Sequence, residues 1–137
     1  MNRLNGVIKL VEHNDTMSLV DVTVEHMNFS AILLETPATA EYLQVGAPVT
    51  LLFKETEVSL AKNLQGELSL RNRIAATVVN IEKGEILSAI TLQFMDKKLV
   101  SVITTRAVKR LQLSAGDAVE ALVKANEVAL MAGHHAD

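Results

Sequence analysis

Displaced by 70 positions without a gap, the chain matches itself. Residues 2–62 lie over 72–132 with 12 identities in 61 positions, about three times the rate expected from the usage of common residues. This repetition constrains the fold more than any other feature, because a structure available to one half must also be available to the other. Asn2-Arg3 lies over Asn72-Arg73 and Ser18 over Ser88. Gly46, Val49, Leu52, Lys54, Glu57, Val58 and Leu60 lie over Gly116, Val119, Leu122, Lys124, Glu127, Val128 and Leu130. Most other pairs keep apolar on apolar, as Ile8 with Val78 and Ile32 with Val102 do. The expected domains are residues 1–66 and 67–137, two copies of one unit joined near Leu64-Gln65-Gly66-Glu67, with strand exchange between the repeats open.

Each copy reads mainly as strand. Val7-Ile8-Lys9-Leu10-Val11-Glu12 and Thr77-Val78-Val79-Asn80-Ile81 are rich in β-branched residues, which suit a pleated surface. Turns follow at His13-Asn14-Asp15 and Glu82-Lys83-Gly84. Residues 18–24 and 88–94 then alternate apolar and polar, the period of a strand with one buried face. Residues 29–34 and 99–104 are nearly continuous apolar runs. Last come residues 49–53 and 119–123, leading through Lys54 or Lys124 into 57–60 or 127–130. One short helix is expected in each copy. In the first, Thr36 caps it, Pro37 takes the first helical position and Gly46 ends the segment; in the second, Thr104-Thr105 precedes residues 106–111 and Gly116 ends it. The fold class is all-β: two tandem OB-like five-stranded Greek-key barrels, each with one short helix. Units this small bury little surface alone, so pairing with the twin and with other subunits is expected.

Composition removes several function classes. Thirteen basic and 16 acidic residues give a net charge of −3, unlike the footprint of a protein that neutralises phosphates, so no nucleic-acid partner is expected. Aromatic residues make up 3% of the chain, too few for stacking platforms. Cysteine is absent, which excludes disulfides, thiolate metal sites and cysteine nucleophiles. No apolar run reaches the roughly 20 residues that span a bilayer, and residues 1–6 lack the apolar core of a secretory signal. A cytoplasmic protein without a membrane partner is expected. A mean hydropathy of +0.25 points to apolar surface covered by other copies.

Catalytic arrangements are lacking: neither Ser-His-Asp spacing nor a Gly-rich phosphate loop nor a nucleophile elbow occurs. His134 and His135 read as a solvated tail. Parts for anion capture are present in three segments. Ser69-Leu70-Arg71-Asn72 offers a hydroxyl, a guanidinium and backbone N–H groups at a strand start. Thr104-Thr105 stands where a helix begins. Lys124-Ala125-Asn126 adds an ammonium and an amide at a strand end. A buried tetrahedral dianion needs many such donors and one or two positive charges. The same groups also have simpler uses. Thr36 and Thr105 are good helix caps without any ligand, and Arg71 and Lys124 suit solvated strand ends or intersubunit ion pairs.

These segments resemble the molbindin family of Mop or TOBE domains, in its tandem form, over nearly the whole chain. The family opening Ser-Ala-Arg-Asn appears as Ser69-Leu70-Arg71-Asn72. A Thr-Ser segment leading into Leu-x-Leu-x-x-Gly appears as Thr104-Thr105 followed by Leu111-Gln112-Leu113-Ser114-Ala115-Gly116. The closing Lys-Ala-Ser-x-Val-x-Leu appears as Lys124-Ala125-Asn126-Glu127-Val128-Ala129-Leu130. The resemblance implies an OB-like fold, a homotrimer of tandem subunits, and molybdate or tungstate held at subunit interfaces as a ligand, with no cofactor, no directly coordinated metal and no enzymatic conversion.

Some positions depart from the pattern. Copy one has no counterpart of Ser69 and Arg71, and its closing segment, Lys54-Glu55-Thr56, carries an acidic residue where the family has Ala. In copy two, Val108 stands where a second hydroxyl is expected and Asn126 replaces Ser, keeping an amide donor. The implied oxyanion site is Ser69, Leu70, Arg71, Asn72, Thr104, Thr105, Lys124, Ala125 and Asn126, with Thr36, Thr39, Lys54 and Thr56 as weaker counterparts. Residues 69–71 are able to face either Lys54 or Lys124. The expected function is intracellular binding, storage or buffering of the oxyanion. The alternatives are a trimeric scaffold with degenerate sites, or the ligand-sensing part of a transport or regulatory system.

Overall fold

The computed structural model describes residues 1–133; the tail with His134 and His135 lies outside the described residues. β1 (Asn2–His13) starts earlier than its β-branched core suggests. Its first half places Asn2, Leu4, Gly6 and Ile8 inward and pairs antiparallel with β4 (Pro48–Phe53), from Asn2 opposite Phe53 to Val7 opposite Pro48. Its second half pairs with β2 (Ser18–Val24), which in turn pairs with β3 (Met27–Leu33). A register shift between Ile8 and Leu10 divides the two halves. The extra residue of such a bulge bends and twists a strand, which lets one strand serve two partners on a curling sheet. β6 (Asn72–Lys83) repeats the device 70 residues later, with a shift between Val78 and Asn80. It pairs with β7 (Leu87–Phe94) and β9 (Ala118–Val123), and β7 pairs with β8 (Lys97–Thr104).

The closing strands are exchanged. β5 (Ser59–Ala61), from the first repeat, pairs with β9, while β10 (Ala129–Ala132), from the second, pairs with β4. Two five-stranded sheets result, β10-β4-β1-β2-β3 and β5-β9-β6-β7-β8. Among the described residues the compact units are accordingly 1–53 with 124–133, and Lys54–Val123. Each is an OB-like barrel whose edges meet: β3 packs on β10 in the first, β8 on β5 in the second. A 3-10 turn precedes each closing strand, Glu55–Glu57 against β8 and Ala125–Glu127 against β3. The valines that follow, Val58 and Val128, are buried. In the second unit the Ser101 hydroxyl donates to the Val58 carbonyl at 2.7 Å.

Leu4, Ile8, Val20, Val22 and Phe53 fill the first core, and Ile74, Val78, Ile90, Leu92 and Phe94 the second, all within 2% of full burial. Each such side chain contributes about 1.5–3 kcal/mol by leaving water. Gly46 and Gly116 have φ of +92° and +95°, a region open to glycine. Their N–H groups donate to the carbonyls of Ile8 and Val78 at 2.8 and 2.7 Å, fixing the chain's entry into β4 and β9.

The expected helix forms in one repeat only. Among the described residues α1 (Thr105–Leu111) is the sole α-helix, while the stretch around Thr36 and Thr39 is a series of turns. The cause is local. The Thr36 carbonyl takes the Thr39 and Ala40 N–H groups at 2.9 and 2.8 Å and the Thr36 N–H donates to the Thr39 hydroxyl at 2.9 Å. A first turn therefore closes, but Thr39 and Tyr42 are weaker helix formers and the turn is not continued. The second repeat instead has Arg106-Ala107-Val108-Lys109-Arg110-Leu111, good helix formers. Its cap also differs from one of the expected two: the hydroxyl of Thr104, not Thr105, accepts from the Ala107 N–H. Among the described residues, no helix is long and apolar enough to cross a membrane.

Candidate functional site

Residues 69–72 run into the start of β6. Ser69 and Arg71 are exposed, Leu70 is half-buried and Asn72 is buried as the first strand residue. Two arginines stand here with opposite circumstances. The Arg73 guanidinium donates through Nε and Nη2 to both Glu120 carboxylate oxygens, at 2.9 and 2.7 Å. That grip holds the Glu120 carboxyl below its usual range and raises Arg73. Arg71 has no hydrogen bond or ion pair among the described residues, so its planar fork of donors remains available.

β9 ends at Val123 opposite Asn72, and β4 ends at Phe53 opposite Asn2. Lys124 and Lys54 follow directly. Each has extended backbone, each carbonyl accepts the first bond of the 3-10 turn, from Glu127 N–H or Glu57 N–H at 2.9 Å, and each side chain is exposed. Neither ammonium pairs with a described residue. Thr56 and Asn126 are exposed on these turns, and Ala125 is half-buried, as is Glu55, the acidic substitute in the first closing segment.

Thr104 and Thr105 take different parts. Thr104 spends a lone pair of its hydroxyl on the Ala107 N–H and lines a shallow depression with Glu85, Ile86 and Arg106. Thr105 is buried. Its hydroxyl donates to the Gly84 carbonyl at 2.8 Å and its N–H to the Ile86 carbonyl at 2.8 Å. The Ser88 hydroxyl lies 2.7 Å from Thr105 Oγ1; with Thr105's single hydroxyl proton already given, Ser88 is the donor. Thr105 therefore orients the start of α1, with both of its own donors engaged.

The far end of α1 is held by Lys62. Its ammonium donates to the carbonyls of Leu111 and Gln112, at 3.2 and 3.1 Å, and to Asp117 at 3.1 Å. A cation at a helix C-terminus offsets the unpaired carbonyls there. Asp117 is held below its usual range first by the Ser114 N–H and then by Lys62.

Strand exchange decides which candidates share a unit. Ser69, Leu70, Arg71, Asn72, Thr104 and Thr105 share one with Lys54 and Thr56, while Thr36 and Thr39 share the other with Lys124, Ala125 and Asn126. In that other unit the Tyr42 hydroxyl donates to Glu35 at 3.1 Å, and burial with the nearby carboxylate pushes its pKa up to about 12. Asn2, buried at the strand start like Asn72, was marked by the identity of the two repeats, whereas one residue with a role here escaped the sequence reading. Lys62 left no sequence signal, since its partners lie about 50 residues away. Among the described residues no group of three or more His, Asp or Glu side chains is placed to hold a metal ion.

Comparison with known proteins adds to this geometry. The profile of the TOBE domain matches twice, over residues 1–60 and 68–130. The molybdenum import ATP-binding protein ModC of Brucella abortus is 41% identical over 81 residues, 58% of this chain and 23% of that protein. The molybdenum transport protein ModE of Herbaspirillum seropedicae is 28% identical over 130 residues, 93% of this chain and 48% of that protein. The chain thus spans about a quarter of the one relative and half of the other. Among solved structures, the cytoplasmic molybdate-binding protein ModG with molybdate bound superposes with a TM-score of 0.90 at 26% identity, covering 96% of each chain.

Proposed function

The chain belongs to the TOBE domain family, and from that premise we propose that it binds molybdate or tungstate in the cytoplasm as a store or buffer, without converting it. The observation that carries this reading is the likeness, over 96% of both chains, to a protein holding molybdate. The site's chemistry supports it. A tetrahedral dianion leaves water only if its oxygens gain a comparable set of donors and some positive charge. The free guanidinium of Arg71, the free ammonium groups of Lys54 and Lys124, and the hydroxyl of Ser69 and amide of Asn126 are donors of that kind. Asn72 and the Thr104-Thr105 segment set the backbone around them. All the charged donors are exposed in the single chain, and a homotrimer supplies the missing walls, with ligand at interfaces between copies.

Calorimetric titration with molybdate tests the assignment. Arg71→Ala with Lys124→Ala is expected to abolish tight binding while leaving the assembly's mass unchanged; unchanged binding refutes these residues as the site. A second reading, the sensing part of a transport or regulatory system, is favoured by the partial overlap with ModC and ModE. A third, a scaffold with degenerate sites, is favoured by the first repeat, which lacks counterparts of Ser69 and Arg71. Elemental analysis of protein purified from molybdate-supplemented cells separates the scaffold from the others, since a scaffold carries neither molybdenum nor tungsten.

A further inference from the structure

The two repeats carry opposite charge at equivalent places. Residues 10–53 contain six acidic residues and no Lys or Arg. Their counterparts, residues 80–123, contain five acidic and six basic residues. Three of the six basic residues fall where the repeats also differ in structure. On α1, Arg106, Lys109 and Arg110 stand at helical spacings of three and four, all exposed, and none pairs with a described residue. The first repeat's counterpart is the turn stretch, whose charged residues are Glu35 and Glu41, both exposed.

The most exposed aliphatic side chains fall at the same two places. Leu34 (83% exposed) and Val45 (69%) bracket the acidic turns, and Ile86 (74%) and Leu87 (53%) adjoin α1. The Ile86 carbonyl takes the Thr105 N–H, and Leu87 pairs with Thr104. The first place thus combines uncovered apolar surface with acidic charge, and the second combines it with three basic side chains against one acidic, Glu85, the arrangement of an interface with a charged rim.

We propose that the occupant of the basic α1 face is a second copy of this chain, which presents its acidic turn stretch, residues 34–45, to it. The reason is complementarity in both terms. A face identical in the two repeats would set like charges against each other wherever equivalent surfaces met. Opposite charges on equivalent surfaces favour head-to-tail contact, second repeat on first, and such a heterologous contact closes into a ring when the rotation between copies allows. This inference rests on the assembly named above but not on the oxyanion.

The test is the dissociation midpoint of the full chain, from mass against concentration by light scattering. Arg106→Glu with Lys109→Glu and Arg110→Glu, and separately Glu35→Lys with Glu41→Lys, are each expected to raise the midpoint by about tenfold or more. The chain carrying all five changes recovers assembly. Far-UV circular dichroism checks that each variant folds. A zero-length carbodiimide cross-link of Lys109 to Glu35 or Glu41, found between isotopically light and heavy copies of the unaltered chain, gives the same answer without any variant. Midpoints that move less than tenfold, a five-change chain that stays dissociated, or cross-links confined within one copy overturn the docking while leaving the oxyanion reading intact. A chain monomeric at every concentration overturns the docking and the interfacial site together.

Discussion

Replacing Thr105 by Val tests the claim that this hydroxyl serves the fold, not the ligand. Valine has nearly the same shape, so packing around a side chain that is 6% exposed is retained and the change is mainly one of hydrogen bonding. Two groups are affected. The Gly84 carbonyl loses its donor, but Gly84 is exposed and water replaces it. The Ser88 hydroxyl, on a residue 1% exposed, loses its acceptor in a place water does not reach. Stranding a buried polar group costs about 1–3 kcal/mol, and for a chain of this size each kcal/mol lowers the melting temperature by about 3–5 °C. Scanning calorimetry should therefore show a drop of about 3–15 °C. Adding Ser88→Ala removes the stranded partner and is expected to return most of the loss. Molybdate affinity, measured well below the melting point, should stay within about threefold, since neither Thr105 donor is free. A melting temperature within about 1 °C of the parent refutes the structural role. A loss of affinity beyond about tenfold in a folded variant refutes the claim that Thr105 does not touch ligand.

Two further outcomes follow from the second unit. Asp117 and Glu120 have carboxyls held below their usual range when folded. Their stabilisation is thus fully present above the unfolded-state values and lost as pH falls through the lowered ones. Melting temperature is expected to fall below about pH 4–5, and less steeply in Glu120→Gln, which starts lower at neutral pH; identical slopes refute the Arg73 pairing as the source. Lys62→Met removes the donor to the Leu111 and Gln112 carbonyls, worth about 0.5–2 kcal/mol at a helix end. Amides in the last turn of α1 should exchange about two- to thirty-fold faster, with β6 amides unchanged; unaltered exchange on α1 refutes the latch.

Much of this molecule is written in local pattern. The self-match at 70 residues announced two like units, and alternation along residues 18–24 and 88–94 announced strands with one buried face. The start of β1 was less legible, since Asn2, Arg3, Asn5 and Gly6 have poor strand propensity and form strand only because β4 lies alongside. The helix expected at Thr36 begins as a single turn, with the Ala40 N–H on the Thr36 carbonyl, and goes no further, because a cap and a first-position proline mark where a helix can start and not how far the residues after it carry it.

Sequence alone determined that there are two copies, that each is a small β unit, and that cationic and hydroxyl groups recur where strands begin and end. These follow from repetition, periodicity and residue chemistry, which act over a few neighbouring residues. Which closing strand completes which sheet, and therefore which lysine accompanies Arg71 within a unit, was decided by tertiary structure. So was the difference between Arg71 and Arg73, two residues apart, one free and one clasped by Glu120. The physical reason is the same in both cases: a hydrogen-bond partner brought from 47 to 83 residues away leaves no mark on the pattern near either end, and only the folded chain chooses it.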